Sequence, residues 1–150
     1  MNISASGSAF SARPRPFEAR RRHGDRVVAV TGGAGFIGSH LCEMLVRRGD
    51  HVVCLDNFHT GRIENVAALS GSDHFSLVVH DVMQPFPASL PSFDEIYNLA
   101  CPASPVHYQE DRVRTARTGI QGVIHVMERA ASDGAQVLQA STSEVYGDPD

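Results

Sequence analysis

The 150-residue chain has no lysine: all 13 of its basic residues are arginine, and arginine does not deprotonate in a protein. Chemistry that needs a lysine is therefore excluded within these residues. Cysteine is scarce. Cys42, Cys54 and Cys101 are odd in number, widely spaced and form no CxxC, so neither a disulfide framework nor a zinc site is expected. Reduced thiols in a cytoplasmic protein are the expectation. The 8 histidines are scattered, with no HxxxH or HExxH, and no metal site is expected. No apolar run approaches the length of a transmembrane helix, and none follows the N-terminal arginines, so neither membrane insertion nor secretion is expected.

Charge is unevenly placed. Six arginines against Glu18 and Asp25 make residues 1–26 basic, whereas seven arginines against fifteen acids make the remainder acidic. An acidic folded body argues against nucleic acid as a partner. Residues 1–26 are rich in Ser, Ala, Arg and Pro and carry no apolar period, the composition of a disordered tail. A single domain is expected over residues 27–150.

That domain is organised around Val27-Val-Ala-Val-Thr-Gly-Gly-Ala-Gly-Phe-Ile-Gly-Ser-His40. A β-branched run of this kind fills a strand buried on both faces. It breaks at glycines spaced Gly32-x-x-Gly35-x-x-Gly38, also readable as Gly33-x-Gly35-x-x-Gly38. The chain then resumes as a helix with Ile37, Leu41, Met44 and Leu45 on one face. Arg47 and Arg48 suit its last turn, and Gly49 its end. Gly32 permits the tight turn, Gly35 lets a pyrophosphate approach the backbone, and Gly38 lets helix and strand pack closely. The helix N-terminus offers N–H groups to phosphate. The next strand, residues 51–56, ends in Asp56, about 20 residues past the glycines, where an acid accepts from a ribose 2′-hydroxyl. NAD is the expected cofactor.

Further along, residues 63–69 read as a short helix, 75–80 as a third strand and 95–100 as a fourth. The two prolines make residues 101–105 a loop at a strand C-terminus, where ligands bind in open α/β sheets. A helix is expected over residues 110–132 with Ile120, Val123, Ile124, Met127 and Ala131 facing the core, and a fifth strand over 136–141. The alternation predicts a doubly wound parallel α/β sheet of strand order 3-2-1-4-5.

Four stretches carry a narrower likeness: residues 31–40, Asp56-Asn-Phe-His-Thr-Gly-Arg62, Tyr97-Asn-Leu-Ala-Cys-Pro-Ala-Ser-Pro105 and Ala140-Ser-Thr-Ser-Glu-Val-Tyr-Gly-Asp-Pro149. They resemble the extended short-chain dehydrogenase/reductases, and within them the UDP-glucuronate decarboxylases (UDP-xylose synthases). The resemblance covers residues 27–149, the N-terminal half of such an enzyme. It implies NAD-dependent oxidation of UDP-glucuronate at C4, loss of CO2 and re-reduction to UDP-xylose. It implies pyrophosphate contacts at Gly35, Phe36 and Ile37, and adenosine-ribose contacts at Asp56, Asn57, His59, Thr60 and Gly61. Asp81 and Val82 would meet adenine. Leu99 and Ala100, with Cys101 and Pro102, would line the cofactor and substrate floor. Thr142 would bond the sugar C4 oxygen, and Glu144, with Ser143, would face the departing carboxylate. A homodimer of the full-length protein is also implied.

The chain departs from the family where Arg117-Thr-Gly119 stands for Lys-Thr-Asn, which puts the substrate contact of Arg117 in doubt. The family also uses a Tyr-x-x-x-Lys pair, which a chain without lysine cannot form; Tyr108-x-x-x-Arg112 is not a substitute, because arginine stays protonated. The 150 residues are therefore expected to be inactive alone. Two other readings stay open: an NAD-dependent nucleotide-sugar epimerase or dehydratase, and a non-catalytic NAD-binding module.

Overall fold

The computed structural model describes residues 26–147; residues 1–25, on which most of the expected tail falls, and residues 148–150 lie outside the described part. Five parallel strands form one sheet in the order β3-β2-β1-β4-β5. They are β1 (Val27–Thr31), β2 (His51–Asp56), β3 (Phe75–Val79), β4 (Glu95–Asn98) and β5 (Gln136–Gln139). The expected order is thus the observed one. Strand β1 is buried throughout and sits between β2 and β4, which is why its sequence carries apolar side chains on both faces. Arg26, assigned to the tail by composition, already belongs to the domain. Its carbonyl accepts from His51 N at 2.8 Å, and its guanidinium pairs with Glu95.

Helices cover both faces. Helix α1 (Phe36–Arg48) and a 3-10 turn (Ile63–Leu69) close one core, around Val28, Val30, Cys42, Leu45, Val52, Cys54 and Val66. Helix α3 (Arg112–Asp133) closes the other, around Val27, Ala29, Leu55, Phe93, Ile96, Val126 and Ala130. Gly49 and Gly134 end the long helices with φ of 93° and 72°, a conformation that favours glycine.

Five expectations are corrected. Helix α1 does not bury Ile37 and Met44, which are 69% and 63% exposed; it buries Gly38, Ser39, Cys42 and Leu45. Helix α3 likewise buries Gly122, Val126 and Ala130, while Ile120, Ile124, Met127 and Ala131 are exposed and Val123 is half-buried. Small residues make up much of both buried faces, with Leu45 and Val126 as the large apolar side chains among them. The expected helix over 110–132 is two helices, α2 (Pro105–Glu110) and α3. Asp111 separates them with φ −133° and ψ 88°, and caps α3 by accepting from Arg114 N at 2.8 Å. Pro105, expected in the loop, opens α2 instead, a position where its missing N–H costs nothing. Finally, β3, β4 and β5 stop one or two residues before their expected ends.

Candidate cofactor-binding site

The glycine turn joins β1 to α1 at the C-terminal edge of the sheet. Gly32 has φ 69°, and a Cβ there would lie 2.9 Å from the carbonyl carbon and oxygen of Leu99. The turn therefore presses on the end of β4, beside Ala100. A Cβ on Gly38 would meet Gly32 O at 2.2 Å and Gly33 Cα at 2.7 Å, whereas one on Gly35 would meet Gly32 O at 3.2 Å. Gly38 thus seats α1 on the turn, and Gly35 sits where little else of the protein crowds the backbone. Phe36 and Ile37 are exposed at the helix start, where the leading N–H groups lack helical acceptors. Gly33 packs on both buried thiols: its Cβ would lie 2.5 Å from Cys54 Sγ and 3.2 Å from Cys42 Sγ. The contact with Cys42, together with burial, pushes the Cys54 thiol far above its ordinary range.

Asp56 is buried at the end of β2. Its Oδ2 accepts from Ala34 N at 2.9 Å, and its Oδ1 accepts from Phe58 N at 2.8 Å. The acid therefore ties the glycine turn to the loop after β2, including Phe58, whose φ of 59° is unusual for a bulky residue. Gly61 closes the same knot, since a Cβ there would lie 2.9 Å from Asp56 Oδ2. Asn65 Nδ2 and Arg62 N both donate to Ala34 O, at 2.7 and 3.1 Å. Asp56 was legible from its spacing; its role as a brace was not. His59 and Thr60 stand exposed in this loop, and Asn57 Oδ1 accepts from His59 N at 3.0 Å.

The loop after β3 lies alongside. Asn57 Nδ2 donates to Asp81 Oδ2 at 3.0 Å, and Asp81 Oδ1 accepts from Met83 N at 3.0 Å. Val82 is buried against Gly122 of α3. His80 is buried with Nε2 unpartnered, and burial holds its imidazole below the ordinary value against the opposing pull of Asp81.

On the other side of β1, a polar ladder crosses the strand ends from the buried Thr31 and Asn98 out to the exposed Gln139. Thr31 Oγ1 donates to Asn98 Oδ1, and Asn98 Nδ2 donates to Gln139 Oε1 at 2.7 Å. Asn98 and Gln139 were not singled out by sequence, because the pairing exists only once β1, β4 and β5 align. The ladder sets Leu99 and Ala100 beside the segment leading to Thr142, which is exposed. Residues Ser143–Tyr146 form a 3-10 turn; the side chains of Ser143 and Glu144 lie outside the described residues. Cys101 is exposed and Pro102 half-buried in the loop after β4, and partial burial raises the Cys101 thiol. Arg117 is not brought to this edge by any described contact. It lines a groove of about 430 Å³ on α3 with Arg112, Val113, Ala116, Ile120 and Gln121, none of them an expected cofactor residue. Among the described residues no helix is long and apolar enough to cross a membrane, and no three His, Cys, Asp or Glu side chains are grouped to hold a metal ion.

A family model described as GDP-mannose 4,6 dehydratase matches residues 29–150. The chain belongs to this family. It is 51% identical over 122 residues to UDP-glucuronic acid decarboxylase 1 of Arabidopsis thaliana, covering 81% of this chain and 27% of that protein. It is 45% identical over 123 residues to UDP-glucuronic acid decarboxylase 1 of Danio rerio, covering 82% of this chain and 29% of the other. Among solved structures it is similar to the dTDP-glucose 4,6-dehydratase of Streptomyces venezuelae with NAD bound. That match has a TM-score of 0.75 and 28% identity, over 83% of this chain and 42% of the other. The chain thus spans less than half the length of these relatives. Its family is that of nucleotide-sugar dehydratases, epimerases and decarboxylases on a Rossmann-like sheet.

Proposed function

We propose that the chain is the NAD-binding part of a UDP-glucuronate decarboxylase. The observation that carries the reading is Asp56, a buried carboxylate tied to the glycine turn at Ala34 N and to the following loop at Phe58 N. NAD fits the residues around it. Gly35 leaves the turn open to a pyrophosphate, with the α1 N-terminus behind it to supply N–H groups and positive potential. Two acceptor positions remain on the Asp56 carboxylate for ribose hydroxyls, flanked by Asn57, His59, Thr60 and Gly61. Asp81 and Val82 receive the base, and Leu99 and Ala100 form the floor beneath the nicotinamide end. When bound, NAD supplies reversible hydride transfer at the sugar C4.

The remaining roles fall to this chain's own side chains. Thr142 holds the C4 oxygen. Glu144, beside Ser143, faces the sugar carboxylate, and the repulsion between two like charges at close range is relieved when the sugar carboxylate leaves as neutral CO2 with its electron pair passing to the ketone. Cys101 and Pro102 are assigned to the substrate side, Arg117, which no described contact brings to that edge, is not, and the whole protein acts as a homodimer in the cytoplasm. The absence of lysine supports a second reading for the 150 residues alone: a dinucleotide-binding module without turnover. Without lysine, these residues form no Tyr-x-x-x-Lys pair to take the C4 hydroxyl proton, a step worth about 10²–10⁴ in rate.

The test has two stages. NAD and NADP are titrated against the chain, and NAD is expected to bind more tightly, because Asp56 repels a 2′-phosphate. Equal affinities would overturn the role of Asp56. Purified chain is then incubated with NAD and UDP-glucuronate, and CO2 and UDP-xylose are followed. No turnover is expected alone. Rates near about 1 per second, ordinary for an enzyme, would show that the base has been misplaced.

A further inference from the structure

Helix α3 grips the loop after β3 along one of its faces. Arg114 Nη2 donates to Asp81 Oδ2 at 3.1 Å. Two turns further on, a Cβ at Gly122 would lie 2.9 Å from Val82 Cγ2, and His125 Nδ1 lies 2.9 Å from Val82 O. The backbone from which Arg114 reaches is itself fixed, because Asp111 accepts from Arg114 N at 2.8 Å. Asp81 Oδ2 therefore accepts from both Asn57 and Arg114, while Oδ1 accepts from Met83 N. An ionised carboxylate offers about four acceptor positions. Three are occupied, so a ligand in the cleft meets one remaining acceptor, held in a fixed direction.

Asn57 and Met83 N are neutral donors. Arg114 is the charged one, and charge-assisted bonds are roughly twice as strong as neutral ones. Without it, a partly exposed Asp81 is held by the two neutral donors alone and turns more readily toward water. We propose that Arg114 is a positioning residue that sets which base the cofactor cleft accepts. By aiming Asp81, it selects a purine with an exocyclic amine donor over one with a carbonyl oxygen at the same place. Adenine satisfies the remaining acceptor; hypoxanthine sets an oxygen against a carboxylate. This inference rests on the NAD reading above and adds Arg114 to it.

The experiment measures dissociation constants of NAD and of nicotinamide hypoxanthine dinucleotide, by calorimetry, on the 150-residue chain and on Arg114 variants. The parent is expected to prefer NAD by about 10- to 100-fold, the range of one hydrogen bond to a charged group. Arg114→Met is expected to weaken NAD by about tenfold and leave the hypoxanthine dinucleotide nearly unchanged, so the preference collapses. Arg114→Lys, which keeps a charged donor, is expected to restore most of it. A purely structural role would weaken both dinucleotides together and leave their ratio intact, and that result would overturn the proposal. Thermal unfolding of each variant checks the fold, and Arg114→Gln replaces the methionine variant if that one does not fold. Failure of the parent to bind either dinucleotide would overturn the NAD reading itself; binding with an unchanged ratio in the variants would overturn the role of Arg114 alone.

Discussion

Alanine at Gly38, in the first turn of α1, and alanine at Gly119, inside α3, are the same substitution in two helices, yet they are expected to act in opposite directions. In either helix the change gains about 1 kcal/mol of helix propensity. At Gly119 nothing lies within 4 Å of the new methyl, so the gain is realised, and the melting temperature should rise by about 2–4 °C for a chain of this size. At Gly38 the methyl would stand 2.2 Å from Gly32 O and 2.7 Å from Gly33 Cα, where ordinary contacts begin at 3.4 Å. Both obstacles are backbone, in a turn pinned by Gly32 N to Leu55 O at 2.8 Å and Gly35 N to Gly32 O at 3.1 Å. Neither can swing aside as a side chain would, so α1 or the turn must shift by about 1 Å, at the upper end of the roughly 1–3 kcal/mol cost of overpacking. After the propensity gain, a net loss of about 2 kcal/mol remains, or about 4–8 °C in melting temperature. The displacement also moves the helix N-terminus away from its pyrophosphate position, so NAD affinity should fall with stability. Thermal unfolding by far-ultraviolet circular dichroism, with NAD titration on the same samples, measures both effects. A Gly38→Ala chain that melts with the parent or above it would refute the reading of the α1 approach.

Two further outcomes are expected. His80 has its folded value lowered from 6.5 chiefly by burial, with Asp81 pulling up and His125 of α3 pushing down. As pH falls the unfolded chain therefore takes up the proton first. The stability His80 contributes is fully present above pH 6.5 and is lost as pH falls through the folded value. His80→Asn should flatten the dependence of urea midpoints on pH between about 7.5 and 5, the window of an unperturbed histidine and below; slopes equal to the parent's would count against it. The exposed apolar row on α3, with Val113, Ile120, Ile124 and Met127, should drive self-association. Ile124→Glu should shift the chain toward monomer in size-exclusion chromatography with light scattering. A parent that is already a monodisperse monomer at high concentration would refute that assignment.

Much of the fold was legible because its signals are local. The β-branched run of β1, the spacing of Gly32, Gly35 and Gly38, and an acid at the end of β2 follow from what a single strand, turn and helix require, and their alternation implied the strand order. The face of α1 was read in part, since Leu45 is buried and Leu41 packs against the core, but Ile37, Met44 and most of the expected α3 face are exposed, for one physical reason. Periodicity weights large apolar side chains, whereas the buried faces mix small residues with few large ones: Gly38, Ser39 and Cys42 with Leu45 in α1, Gly122 and Ala130 with Val126 in α3. Hydrophobicity alone does not distinguish a side chain that fills this core from one left for another surface.

The sequence by itself determined the glycine turn and the position of Asp56, since each depends on neighbours within a few residues or on a strand's own burial, and the alternation of strands and helices around that turn pointed to the strand order that the long-range pairings then realise. Only the tertiary structure decided that Asp56 braces the turn through Ala34, that Thr31, Asn98 and Gln139 form one ladder, and that Arg114 reaches Asp81. These partners lie 22, 67, 41 and 33 positions apart in the chain. Hydrogen bonds at such separations are set by strand register and helix docking, which no local spacing encodes.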